Sequence, residues 1–390
     1  MTARVCIFTT HPIQYQVPWF RSLARRSEVD LTVLYCMMPS AAEQGAEFGV
    51  EFQWDVPLLD GYHYEVLPNV ARRPSVVSFG GCDTPEIFRR VHAFDCLIIN
   101  GWVTKACVQA MLAGRRHRVP CVVRGESNTM RPRPFPLRLG HRLLLAQYTA
   151  ALAIGRSNRD FYLRNGVPAQ RIFEGPYCVD NERFERQAQE LQPQREELRS
   201  RWGIAPEAVA FLFCGKLIDK KRPLDLLRAV ALLAGEGGPA CHVIVAGEGP
   251  LRPACEAFAR ERRIAATFTG FLNQSAISRA YVASDCLVLP SDHGETWGLV
   301  VNEAMASGRP AIVSDQVGCH PDLIAPGHTG DVFPCGDVDA LSRTLASWSR
   351  APERLALAGE QARAHVRRYS VSRVVDGTLE AVRFATGPAA

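Results

Sequence analysis

FLFCGKLIDKKRPLDLLRAV, residues 211–230, holds a strand, a loop and the start of a helix in one stretch. Val209–Phe213 is an unbroken apolar run of strand length. Gly215 ends it and Lys216 follows at its carboxyl end. Lys221 and Arg222 then precede Pro223, whose fixed φ and missing N–H suit a first helical position. Pro223–Leu233 carries apolar residues at helical spacing. The stretch reads as a βα unit with a basic loop between its two elements.

The same alternation runs along the chain. Arg4–Phe8, Leu31–Leu34, Cys96–Ile99, Cys121–Val123, Ala151–Ile154, His242–Val245, Asp285–Leu289 and Pro310–Val313 are further strand-like runs, and Pro250–Arg262 is a further helical stretch. Strands alternating with helices predict parallel sheets covered on both faces. A chain of 390 residues exceeds what one core comfortably supports, so two domains are expected. The polar segment 181–206, broken by Pro193, reads as the hinge. Residues 41–74 show no periodicity but carry Trp54, Tyr62 and Tyr64, as a functional loop or an insertion.

Apolar residues at 47% and charged residues at 22% exclude a disordered chain, and a net charge of +5 is too small to indicate nucleic acid. The thirteen cysteines are scattered without a C-x-x-C pair, which predicts small buried hydrophobes rather than disulfides or a zinc site. MTARVCIFTTHP reads as a first strand and not a signal peptide. No apolar stretch reaches the roughly 20 residues that span a bilayer. A cytoplasmic protein is expected.

In parallel α/β sheets ligands gather at the carboxyl ends of strands. HGETWGLVVNEAMASGRPAIVSD, residues 293–315, follows such an end: Gly298 and Leu299 open a helix whose first N–H groups can hold phosphate oxygens, with Glu295 before it and Glu303 inside it. Either glutamate alone reads equally as a carboxylate offsetting a helix dipole. Lys216 and Lys221 read as solvated basic residues or as a pair balancing a diphosphate. VIVAGEGPLRPA, residues 243–254, turns through Gly247 and Gly249 without completing G-x-G-x-x-G, and indicates tight packing.

These strings, with FTGFLNQSAISRAYVASDCLVLPS at 268–291 and DQVGCHPDLIAPGHTGDVFPCGDVDAL at 315–341, resemble the retaining glycosyltransferase family 4. The likeness reaches more loosely into 153–184. It implies the GT-B fold, two Rossmann-like doubly wound domains facing across a cleft. The implied division is an acceptor-binding domain at 1–185, a nucleotide-sugar-binding domain at 186–365, and a helical tail at 366–390 returning to the first. The resemblance places Lys216 and Lys221 on the donor diphosphate, Glu295 near the donor sugar and Glu303 on the ribose. Gly215, Thr296, Trp297, Gly298 and Leu299 would line the nucleotide sugar. No metal and no cofactor are implied, and the one D-x-D, Asp337–Asp339, reads as a helix cap. UDP is the expected nucleotide because it is common in the family.

The chain departs from the family pattern at four places. Thr9-Thr10-His11-Pro12 replaces a Gly-Gly pair after the first strand, and His11 reads as a donor or acceptor contact or as a packing residue. Glu126, in VVRGESNTMRPRP, stands near a common histidine; it would accept from an acceptor hydroxyl or pair with Arg124. Tyr177-Cys178 replaces Asn-Gly at the domain link, and Cys319 replaces a glycine. Residues 131–145, RPRPFPLRLGHRLLL, with Arg115, Arg116 and Arg118, read as a basic face for an anionic membrane carrying a lipid-linked acceptor, or as a core helix with a basic outer side. Against the transferase stand a sugar phosphorylase, a nucleotide-sugar epimerase and a binding protein without turnover. A dehydrogenase is disfavoured by the missing G-x-G-x-x-G after the first strand.

Overall fold

The computed structural model describes residues 2–45 and 49–387. The chain divides into two compact units: Met1–Pro39 with Pro57–Cys178 and Tyr369–Ala390, and Ser40–Val56 with Val179–Arg368.

The first unit is built on β1 (Ala3–Thr9), β2 (Val29–Tyr35), β3 (His63–Val66), β4 (Cys96–Asn100), β5 (Cys121–Arg124), β6 (Ala150–Ala153) and β7 (Ile172–Glu174). They pair in parallel in the order β3-β2-β1-β4-β5-β6-β7. Alternation along β1 sends Cys6 and Phe8 into one core and Val5 and Ile7 into another, so both faces of the sheet are covered. The first core gathers Leu97, Ile99, Trp102, Phe161 and Tyr162. The second gathers Trp19 and Phe20 from the helix Val17–Ala24 with Val374, Val375 and Leu379 from the helix Val371–Thr386.

The second unit is built on β8 (Val209–Cys214), β9 (Cys241–Ala246), β10 (Ala266–Gly270), β11 (Cys286–Leu289), β12 (Ala311–Ser314) and β13 (Gly330–Phe333), parallel in the order β10-β9-β8-β11-β12-β13. All six residues of β8 are buried. Helices Pro223–Gly235 and Val338–Ser349 cover one face through Leu226, Leu227, Leu345 and Trp348. In each sheet the strand order reverses beside the first strand, between β1 and β4 and between β8 and β11. In sheets of this order ligands characteristically bind at the carboxyl strand ends beside such a reversal.

The division lies seven residues before the boundary expected at 185/186. The polar segment taken for a hinge is folded. Helix Asn181–Leu191 buries Phe184 and Ala188, and Phe184 meets Tyr281 edge to face with centroids 6.1 Å apart. Arg199 donates to Asp285 at 3.1 Å and to the Ala283 carbonyl at 3.1 Å; Arg195 bonds to the same carboxylate. These arginines made the segment look like linker, yet they satisfy buried acceptors of the second unit.

Residues 40–56, expected in the first domain, also group with the second unit. Phe52 packs on Phe271 at 4.2 Å between centroids, the Asn273 amide donates to the Gln53 carbonyl at 2.7 Å, and the Ser275 N–H reaches Asp55 at 3.1 Å. No periodicity marks this stretch because two aromatic rings and a few polar bonds hold it, not a repeating face. Tyr62, by contrast, belongs to the first unit, sharing a hydrogen bond of 2.7 Å with Tyr35.

All thirteen cysteines are free, and all but Cys241 and Cys335 are buried. Among the described residues no helix is long and apolar enough to cross a membrane.

Candidate active site

In the second unit the loops after β8, β9 and β11 meet at the strand-order reversal. The loop after β8 is stitched to the turn after β9: Leu217 N–H donates to the Glu248 carbonyl at 2.8 Å and Leu251 N–H to the Leu217 carbonyl at 3.0 Å. A Cβ on Gly247 would stand 1.9 Å from the Gly215 carbonyl oxygen, and φ there is +149°. The G-E-G turn thus brings two loops into backbone contact that a side chain would forbid.

Lys216 follows Gly215, half-buried. Lys221 lies in the short turn Asp219–Lys221, and its ammonium pairs with the Glu295 carboxylate. Both side chains are only 14% exposed, so little solvent screens the pair. The two loops are also joined by backbone, Asp292 N–H to the Lys220 carbonyl at 2.9 Å.

After β11 the chain reaches helix Leu299–Ala306 through Gly298 at φ +100°. A Cβ on Gly298 would lie 2.9 Å from Leu289 Cδ2 and 3.1 Å from Val317 Cγ1. Only glycine brings the helix start this close to β11. Trp297 is buried and its indole N–H donates to Asn302 Oδ1 at 2.8 Å. Cys319 N–H holds the Trp297 carbonyl at 3.0 Å and Gly318 N–H the Glu295 carbonyl at 3.0 Å. Thr296 and Leu299 are half-buried. Val301 N–H bonds the Gly298 carbonyl at 2.9 Å; the N–H groups of Leu299 and Val300 precede any intrahelical acceptor.

Glu303 is 2% exposed, one turn into that helix. Tyr281 O–H donates to its Oε2 at 2.6 Å, while Oε1 has no hydrogen-bond partner. Burial raises the carboxyl pKa; the Tyr281 hydroxyl and the nearby Arg183 and Gln274 oppose this, without closing on Oε1. A buried carboxylate oxygen left open is an acceptor waiting for a donor.

In the first unit the expected contacts sit after β1 and β5. His11 is half-buried, with Nδ1 2.9 Å from Thr10 Oγ1, and burial lowers its pKa to about 4, so the ring is neutral at physiological pH. Glu126 is exposed and accepts from the hydroxyl of buried Tyr177. Arg124 lies over the rings of Trp19 and Tyr177.

Asp337 Oδ1 caps the helix Val338–Ser349, accepting from Ala340 N–H at 2.8 Å. Among the described residues no group of three or more His, Cys, Asp and Glu is placed to hold a metal ion.

Residues 194–365 match the family described as glycosyl transferases group 1. That match spans a little under half of the chain and lies within the second unit. D-inositol 3-phosphate glycosyltransferase of Rhodococcus opacus is 29% identical over 299 residues, covering 73% of this chain and 65% of its own length. The match thus spans just under two thirds of that relative. A glycosyltransferase from Rickettsia africae superposes with a TM-score of 0.75 at 12% identity, over 98% of both chains. Anabaena HepE, solved in complex with UDP and glucose, superposes at 0.67 and 16% identity over 97% of this chain and 98% of its own. At such identities the likeness shows the fold, which is GT-B.

The sequence pointed to Lys216, Lys221, Glu295 and Glu303 but not to what holds them. Tyr281, which orients Glu303, lies in a short helix between two βα units; its only sequence mark is a polar ring inside an apolar face. Arg124 went unread as a site residue although an arginine ending the apolar run CVVR is itself unusual.

Proposed function

We propose that this protein transfers a sugar from a nucleotide-diphosphate sugar, UDP-linked by preference, to a hydroxyl of an acceptor, with retention at the anomeric carbon. The observation that carries the reading is Glu303: a buried carboxylate at a helix start, fixed through one oxygen by Tyr281 and open at the other. An open acceptor beside a helix N-terminus suits a ribose diol next to a diphosphate. HepE, of the same fold, was solved with UDP and glucose, which supports UDP as the nucleotide.

In this reading Lys216 and Lys221 balance the diphosphate, and Glu295 holds Lys221 in position and borders the donor sugar. The backbone of Trp297, Gly298 and Leu299 lines the donor, and the acceptor lies with the first unit near His11 and Glu126. The acceptor oxygen bonds to the anomeric carbon on the face from which the diphosphate departs. The sugar–phosphate bond breaks and a donor phosphate oxygen takes the hydroxyl proton. Catalysis then consists of orientation and stabilisation of leaving-group charge.

The test is release of nucleoside diphosphate from a panel of UDP-, GDP-, ADP- and dTDP-sugars, with and without EDTA, against Glu295→Ala. One donor is expected to dominate and to tolerate EDTA, and the variant to lose about a hundredfold, the scale of removing one charge-stabilising contact. Absence of donor binding by calorimetry would sink the reading. Phosphate-dependent cleavage, or epimerisation without an acceptor, would turn it to a phosphorylase or an epimerase.

A further inference from the structure

We infer that Arg124 is the anchor for an oxyanion carried by the acceptor, a phosphate or a carboxylate. This rests on the transferase reading above and deepens it by giving the acceptor a charge.

Arg124 closes β5, where the carboxyl ends of β1, β4 and β5 lie side by side. The residue is 4% exposed. Its guanidinium lies between two aromatic rings, 4.8 Å from the Trp19 centroid and 4.5 Å from that of Tyr177. Trp19 is in turn pinned by its indole N–H to Thr378 Oγ1 at 3.1 Å. Ring faces hold a cation in place but satisfy none of its N–H groups. Arg124 donates from Nη1 to Asn100 Oδ1 at a long 3.4 Å and also interacts with the Tyr177 hydroxyl, while its buried Nε has no hydrogen-bond partner among the described residues. Asn100 is itself tied to β1, its amide 3.4 Å from Thr9 Oγ1. Among the described residues Arg124 enters no ion pair, and Glu126, two residues on, accepts from the Tyr177 hydroxyl.

A buried guanidinium without a carboxylate is costly to keep unless something completes it. Its position at the strand ends is where ligands enter such sheets. The planar fork offers parallel N–H groups that match the two oxygens of a phosphate or carboxylate. The rings set the fork's plane beforehand, so little side-chain freedom is lost on binding. Arg124 therefore selects acceptors that carry an anion beside the reacting hydroxyl.

The test uses the full chain saturated with UDP, which occupies the donor site, and titrates inorganic phosphate by calorimetry. Phosphate is expected to bind the UDP-saturated protein. Arg124→Gln should weaken it at least tenfold while UDP affinity stays within twofold. Arg124→Lys, which keeps the charge over the rings but loses the fork, should fall between them and carries the test if the glutamine variant does not fold. In transfer, glucose 6-phosphate and glucuronate should stimulate UDP release at least tenfold more than glucose, and Arg124→Gln should erase the difference. Phosphate binding unchanged in both variants, absent from the wild type, or displaced by UDP would overturn the proposal. Failure of UDP itself to bind would instead overturn the transferase reading, and the difference in phosphate affinity between the wild type and Arg124→Gln, measured without UDP, would still report on Arg124.

Discussion

Glu303 shows how a single residue joins stability to function. Its carboxyl pKa is raised above the ordinary 4.5 because the group is buried, with one oxygen unsatisfied. A carboxyl with a raised folded pKa favours the folded state while protonated and loses that contribution as pH rises through the folded value. Glu303→Gln removes the charge, so it should raise the melting temperature at about pH 8 and lose that advantage near pH 4. It should also weaken donor binding by about ten- to a hundredfold, the effect of a lost hydrogen bond to a charged group at about 1.5–3 kcal/mol. Equal melting curves at both pH values, or unchanged donor affinity, would contradict it. At this scale the sequence revealed residue types and spacing, as with Glu295 and Glu303 flanking a glycine at a helix start. It did not reveal that Lys221 pairs with Glu295, since those residues lie 74 positions apart and meet only when β8 and β11 pair.

Among elements, legibility followed burial. The nine apolar runs became the nine inner strands of the two sheets. The four strands not foreseen, β3, β7, β10 and β13, are the four sheet edges. Inner strands of a parallel sheet are covered on both faces and read as continuous apolar runs. Edge strands are covered only in part: none of the residues of β3, β7 or β10 is fully buried. The helix Phe135–Leu145 is the opposite case, an apolar sequence that the fold leaves outside. One side rests on the core through Leu145 and through His141 against Phe161, with ring centroids 5.3 Å apart. Phe135, Leu139 and Leu143, four residues apart on the other side, are 73%, 47% and 61% exposed. Arg138 and Arg142 flank them, and no acidic residue occurs between positions 127 and 159. We propose that this side rests on an anionic lipid surface, consistent with a lipid-linked acceptor. The protein should co-sediment with phosphatidylglycerol-containing vesicles and not with phosphatidylcholine alone. Arg138→Gln with Arg142→Gln should lower partitioning about thirtyfold, at about 1 kcal/mol per basic residue. Equal binding to both vesicle types would discard the lipid surface.

For the molecule as a whole, the last residues complete the first unit. Helix Val371–Thr386 buries Val374, Val375, Leu379, Ala381 and Val382, and Gly377 lets it approach β7 so closely that a Cβ would sit 1.6 Å from the Glu174 carbonyl oxygen. Burying several such side chains contributes about 1.5–3 kcal/mol each, comparable in sum with the net stability of a domain. Truncation after Arg368 should therefore cost the first unit its cooperative melting and open residues 57–178 to protease, whereas Thr378→Val, which removes the hydroxyl's bonds to the Trp19 indole and the Val374 carbonyl, should cost only about 1–2 kcal/mol. A truncated chain that melts like the full one would contradict this. The sequence by itself determined two parallel α/β units, their inner strands and the residue types at the donor loops, because local periodicity and strand-end position record these. Only the tertiary structure decided that residues 40–56 belong with the second unit, that the polar segment after 180 is packed helix, and that Arg124 is clamped without a counter-ion. Those features depend on partners tens to hundreds of positions away, and such distances leave no period in the chain.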